Sequence, residues 1–231
     1  MSTLQKLSLA LVGTAVVFMS ANPAGAVSLT TGSTTPTANG IFSTVAGTTT
    51  VTFESGAPTT GFATYSSPVG TPGVVQGTQP NEYAAPFGDT SKYLTISPTS
   101  FNVKGNTGSV TIDFAQALDY FGLQWGSVDK YNSIAFFNGN TLLNTFTGSN
   151  VPGTTASGNQ TSPQDNVFVN FFADPGQTFN KIVLSSSDIA FESDNHTYRL
   201  ASVPEPTSML GLLAFGAVSA GSFIKRKSKL V

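Results

Sequence analysis

The sequence predicts an all-β chain, an antiparallel two-sheet sandwich of jelly-roll type set between an apolar N-terminal signal helix and an apolar C-terminal transmembrane helix. Three observations carry that expectation. Apolar residues in the body recur with period two at Val51 and Phe53, at Val110, Ile112 and Phe114, at Phe121, Leu123 and Trp125, at Val167, Val169 and Phe171, and at Ile189 and Phe191. Thr, Val, Phe and Tyr dominate these runs, as a pleated, half-buried surface favours, and helical spacing at i, i+3, i+4, i+7 is not sustained anywhere between the termini. The 23 Gly and 13 Pro among 231 residues place turn chemistry between the runs, with no room for crossover helices.

Taken in order, residues 1–26 read as a secretory signal peptide. Lys6 supplies the positive start, residues 7–19 the apolar core, and Ala24 and Ala26 the small residues of an A-x-A cleavage site. That core falls short of the ~20 residues a membrane-spanning helix needs. Residues 27–40 are small and polar after Val27, apart from Leu29, and are expected to form a flexible leader. Residues 41–202 hold the strands. Within them Asn138-Gly139-Asn140 separates two apolar runs and predicts a hairpin, because Asn and Gly tolerate positive φ. Residues 66–81 and 148–166, rich in Gly, Pro, Ser, Thr and Gln, are expected as surface loops.

Residues 203–231 close the chain. Val203-Pro204-Glu205-Pro206 is followed by an uncharged apolar run over residues 209–224 and at once by Lys225-Arg226-Lys227. A helix over that run covers about 24 Å and nearly spans a ~30 Å hydrocarbon core, with the basic cluster stopping it on the cytoplasmic side. The two prolines fix φ and remove backbone donors, which keeps Glu205 on an extended, accessible segment. This tripartite end, together with the signal peptide, resembles the PEP-CTERM sorting signal of Gram-negative bacteria. The resemblance implies an exosortase-type membrane protease and the export machinery as partners. It further implies transient anchoring through the helix, then release to the cell surface or an extracellular matrix. Residues 83–198, through YAAPFGDTSKYLTI, DYFGLQWGSVDKYNSIAFFNGNTLL and FADPGQTFNKIVLSSSDIAFESDNH, also resemble a family of exosortase-dependent surface proteins with a β-rich body. That second resemblance implies address and fold, and no activity.

Composition narrows the chemistry. Zero Cys and one His remove disulfides, thiolate metal sites, Cys nucleophiles and multi-histidine centres. Across residues 27–203 five bases face eleven acids, so this acidic stretch has no basic patch to attract a nucleic acid. No G-x-S-x-G elbow, Walker loop or dinucleotide fingerprint is present, and no catalytic residue is assigned. His196, Asp113, Asp119, Asp188 and Glu192 read as surface or turn residues. A secreted polysaccharide hydrolase stays the alternative, requiring two carboxylates ~5 to 9.5 Å apart.

Two sites are expected. Tyr120, Tyr131 and Trp125 are the aromatic residues that could stack on a sugar ring, although parity puts Trp125 with Phe121 and Leu123 on the core face. Glu54, in Phe53-Glu54-Ser55-Gly56, and Asp194-Asn195 resemble the paired step that holds a structural calcium in carbohydrate-binding jelly rolls. The resemblance implies calcium ligands at Glu54 and Asp194, and Asn195 offers a further hard oxygen. The function expected is therefore that of a non-catalytic, exported surface or matrix protein that binds extracellular polysaccharide, with a purely structural role as a further possibility.

Overall fold

The β-rich runs form eleven strands: β1 (Val27–Thr31), β2 (Thr49–Val51), β3 (Ala63–Ser66), β4 (Gly73–Gln76), β5 (Lys92–Ile96), β6 (Ser109–Gly126), β7 (Asn132–Asn138), β8 (Thr141–Thr147), β9 (Val167–Ala173), β10 (Phe179–Ser186) and β11 (Phe191–Leu200). The computed structural model describes residues 26–202. Its helical content there is two three-residue turns, Gly148–Asn150 and Pro163–Asp165. Residues 1–25 with Ala24, the motif Val203 to Pro206, the apolar run after it and Lys225, Arg226 and Lys227 lie outside the described residues. No helix among the described residues is long and apolar enough to cross a membrane.

Every strand pairing is antiparallel, and β6 organises them. Its first half pairs with β3, Ala63 opposite Phe114, and with β10, Ile182 opposite Ile112. β10 continues to β7 and β8. Its second half pairs with β9, Phe171 opposite Phe121, and with β11, Ser193 opposite Trp125. β9 carries β1 on its far side, and β11 carries β5, β4 and β2. Between the halves the register with β10 jumps, so that Asp113 and Leu118 face Lys181 and Phe179, and residues 115–117 are exposed. Such an irregularity lets one strand serve two sets of neighbours.

The core gathers the period-two residues. Phe121, Phe136, Phe171 and Phe179 are fully buried and pack ring to ring, with Phe136 centred 4.8 Å from Phe171 and 5.0 Å from Phe179. Trp125 stacks on Phe191 at 4.6 Å. Burying one such side chain contributes ~1.5–3 kcal/mol, so this cluster outweighs any surface pairing. The expected hairpin forms, with Asn138 opposite Thr141 and Gly139 at φ 57° in the turn.

Three expectations are corrected. Residues 27–31 are not a flexible leader: β1 pairs with β9 over five residues, because backbone pairing at an edge needs little apolar surface from the added strand. The expected loop over residues 66–81 contains β4, whose Val74 and Val75 pair with Leu94 and Tyr93. Phe53 is not in a strand; it turns at φ 58° and drives its ring into the core against Tyr65 and His196.

Candidate functional site

The first seven residues of β11, Phe191 to Thr197, are all buried, although six of them are polar or charged. A strand with one solvated face would alternate. β11 does not, because it lies between β6 on one side and β5 and β2 on the other, and two loops are fastened across it. The Ala84 amide donates to Glu192 Oε1 at 2.9 Å, and Asn195 Nδ2 donates to the carbonyls of Asn39 and Ile41 at 2.9 and 3.1 Å. The side chains of β11 thus replace water as partners for loop backbone.

Glu192 reaches the wall of a double cleft. One part, about 330 Å³, is lined by Gln79, Asn81, Tyr83 and Gln160; the other, about 260 Å³, by Ser127, Asp129, Tyr131 and Ser157. Both parts share Gln160, Ile189, Ala190 and Glu192. Tyr131 is half-buried and donates its hydroxyl to the Ile189 carbonyl at 2.8 Å. Burial pushes the Glu192 carboxyl up to about 8 and also raises Asp129. Glu192 is therefore largely protonated at neutral pH and can donate as well as accept. Two glycines let the loop over residues 148–166 close on this wall. A Cβ on Gly158 would lie 2.4 Å from Asp129 Oδ1, and one on Gly148 would lie 2.2 Å from the Asp129 carbonyl oxygen.

The other expected aromatic contacts are not surface groups. Tyr120 is fully buried; its hydroxyl donates to Asn170 Oδ1 at 2.7 Å and lies 2.7 Å from Ser43 Oγ, while its ring packs on Phe172. Trp125 is fully buried on Phe191, as parity indicated. Neither offers a face to a sugar, and Tyr131 alone of the three borders a cleft.

The expected calcium set is also divided. β2 pairs with β11, Val51 opposite His196, which brings the two Phe-Glu-Ser steps into one neighbourhood. Glu54, however, is exposed, and its Oε1 accepts the Lys92 amide at 3.1 Å. Asp194 points instead to Ser91, whose Oγ lies 3.2 Å from Asp194 Oδ2 and also bonds Asp89 Oδ1. Burial, with the nearby Asp89 charge adding to it, raises Asp194 to about 9. Asn195 sits one residue further along, at φ 50° in a bulge where the β6 pairing skips.

His196 is not a surface residue but fully buried. Its Nδ1 lies 3.0 Å from Tyr65 Oη and its Nε2 3.0 Å from Ser193 Oγ, and burial holds it down to about 3, so it is neutral. A Ser–His pair at that distance has the spacing of a nucleophile and base, yet Phe53 and Phe121 enclose the ring edge to face and Ser193 is fully buried. Sequence reasoning also missed Asp129, which lines the cleft, and Asp89, which shares Ser91 with Asp194. The one hint was their position, each three residues before a strand, β7 and β5. No protein-family model matches the chain, and no match is found among curated proteins or among solved structures.

Proposed function

We propose that the chain is an exported surface or matrix protein whose β body engages extracellular polysaccharide. In this reading residues 1–26 direct export, residues 203–231 hold the protein at the membrane, and an exosortase-type protease acts at Val203 to Pro206. The body is then a two-sheet sandwich, one sheet built on each half of β6, a reading supported by the separate neighbours of those halves. The observation that carries the binding role is the double cleft. Planar amides of Gln79, Asn81 and Gln160, the half-buried Tyr131 ring and a protonated Glu192 give it donors, acceptors and one apolar face, the set a hydroxyl-rich ring requires.

Two measurements test the reading. Replacing Pro204, Glu205 and Pro206 by alanine should leave an uncleaved, membrane-retained precursor in the native host; normal release would remove the sorting role. Tyr131→Ala should weaken retention on the host's own polysaccharide about tenfold or more, with Tyr131→Phe close to wild type, and unchanged binding by Tyr131→Ala would remove the glycan role.

One observation favours a hydrolase as a second reading: Glu192, with its carboxyl raised to about 8, lines the same cleft as Asp129. Under that reading the protein would release reducing ends from the polysaccharide and Glu192→Gln would abolish release while sparing binding. Binding without any release leaves the non-catalytic reading.

A further inference from the structure

We propose that Asp89, Asp194 and Asn195 form a buried site for a hard divalent cation, calcium foremost, where the bulge of β11 meets the loop that leads into β5. The proposal rests on three oxygens. Asp89 Oδ2, Asp194 Oδ1 and Asn195 Oδ1 are each buried, on side chains at least nine-tenths removed from solvent, and none has a hydrogen-bond partner among the described residues. Leaving one such group unpartnered in a buried setting is destabilising, and three on neighbouring side chains require a common explanation.

The three are neighbours by independent criteria. Ser91 Oγ bonds one oxygen of each aspartate, which ties the carboxylates together. The Ser91 amide donates to Asp89 Oδ1 at 2.8 Å and its one hydroxyl proton serves Asp89 Oδ1 or Asp194 Oδ2, so neither donor reaches Asp89 Oδ2 or Asp194 Oδ1. The point that a Cβ on Gly40 would occupy lies 2.7 Å from Asp89 Oδ2 and 3.0 Å from Asn195 Nδ2, so the Asn195 side chain approaches Asp89 through its amide nitrogen. The two bonds from Asn195 Nδ2 to the carbonyls of Asn39 and Ile41 fix which way that amide faces, so its oxygen cannot turn to find a donor.

A proton shared between the aspartates would pair Asp89 Oδ2 with Asp194 Oδ1 and leave Asn195 Oδ1 without a partner. A cation takes all three at once. Two carboxylates and an amide oxygen match the ligand preference of Ca²⁺, which accepts 6–8 oxygens and completes its shell with water. A path exists: a cleft of about 260 Å³, with Ser91 and Asn195 in its wall, lies beside the cluster. Glu54 lines that cleft but is not one of the three oxygens, so the ligand set differs from the one its sequence neighbourhood suggested.

The test uses the full chain in detergent, followed by the fluorescence of Trp125 on heating, in chelator and with added CaCl₂, and by Tb³⁺ luminescence as a direct readout of occupancy. At Ca²⁺ about 100-fold above its dissociation constant, Tm should rise roughly 5–10 °C over the value in chelator. Asp89→Asn and Asp194→Asn should each abolish most of that rise while melting cooperatively in chelator, whereas Glu54→Gln should keep it. Equal Tm in chelator and calcium with no Tb³⁺ signal overturns the proposal and leaves a shared proton. A rise that survives both aspartate variants, or one that Glu54→Gln removes, overturns this ligand set.

Discussion

His196 and Asp194 stand two residues apart on β11, equally buried and equally polar, and the protein treats them in opposite ways. Both ring nitrogens of His196 have partners, and three aromatic rings, Phe53, Tyr65 and Phe121, close around it. Asp194 faces a second carboxylate, shares one serine proton with it and keeps an oxygen with no partner. The contrast separates two meanings of a buried polar group. Where every atom is satisfied, the group fixes how elements pack; where several neighbouring atoms are not, the structure is complete only with something added.

The largest effect should come from breaking the satisfied side. His196→Ala deletes a ring packed against Phe53, Tyr65 and Phe121 and strands both Tyr65 Oη and Ser193 Oγ. Cavity and lost hydrogen bonds together predict ~3–5 kcal/mol of destabilisation in denaturant titration. A loss below ~1 kcal/mol would mean that the neighbourhood of His196 is not packed as described, and the contrast with Asp194 would collapse.

A smaller effect sharpens the same point through pH. Burial pushes the Tyr120 hydroxyl up to about 12 and raises Tyr65, the partner of His196, well above the usual 10. Folding holds these protons more tightly than the unfolded chain does, so the stability they contribute is intact below pH 10 and is lost as pH rises through the folded values. For Tyr120 the shift corresponds to about 2–3 kcal/mol at the top of that window. Unfolding measured between pH 9 and 12 should show a steep loss beginning near pH 10, and Tyr65→Phe should make it shallower. A flat profile to pH 12 would show that these hydroxyls are open to solvent.

How much of this was legible in the sequence depends on what each residue faces. Period-two apolarity identified β9 and both halves of β6 because their inner side chains, Val110, Ile112, Phe121 and Phe171 among them, enter one core. The hairpin between β7 and β8 was legible from local turn chemistry. Glu192 and His196 were misread as surface or turn residues, because a polar strand looks exposed until loops from far earlier in the chain are laid across it. Tyr120 failed for a related reason: parity assigned it to the outer face, but that face is covered by Ser43 and Phe172. Alternation reports the period of a strand and cannot report what lies over each side. β2 pairs with β11, yet the carboxylate next to Asp194 came from Asp89, whose place is set by a loop with no periodic signal.

The smallest effect is the most diagnostic. Asp89→Asn in chelator replaces one of the two carboxyls with an amide that can donate to Asp194 Oδ1, the oxygen that lacks a partner. Ser91 keeps an acceptor on either residue, so no packing is lost. The expected change is at most ~1 kcal/mol and in the stabilising direction, since the new amide donor meets a buried acceptor that had none while the Ser91 bonds are kept. The same substitution at a satisfied acid behaves otherwise. Asp165 accepts from Thr155 and Ser157 hydroxyls at 2.7 Å each and from the Thr155 amide at 2.8 Å, and these donors hold its carboxyl below the usual range against the opposing pull of burial. Asp165→Asn puts a donor where only acceptors fit and should destabilise by ~1–3 kcal/mol. If Asp89→Asn in chelator costs as much as Asp165→Asn, the Asp89–Asp194 pair is satisfied after all, and the contrast between Asp194 and His196 is lost.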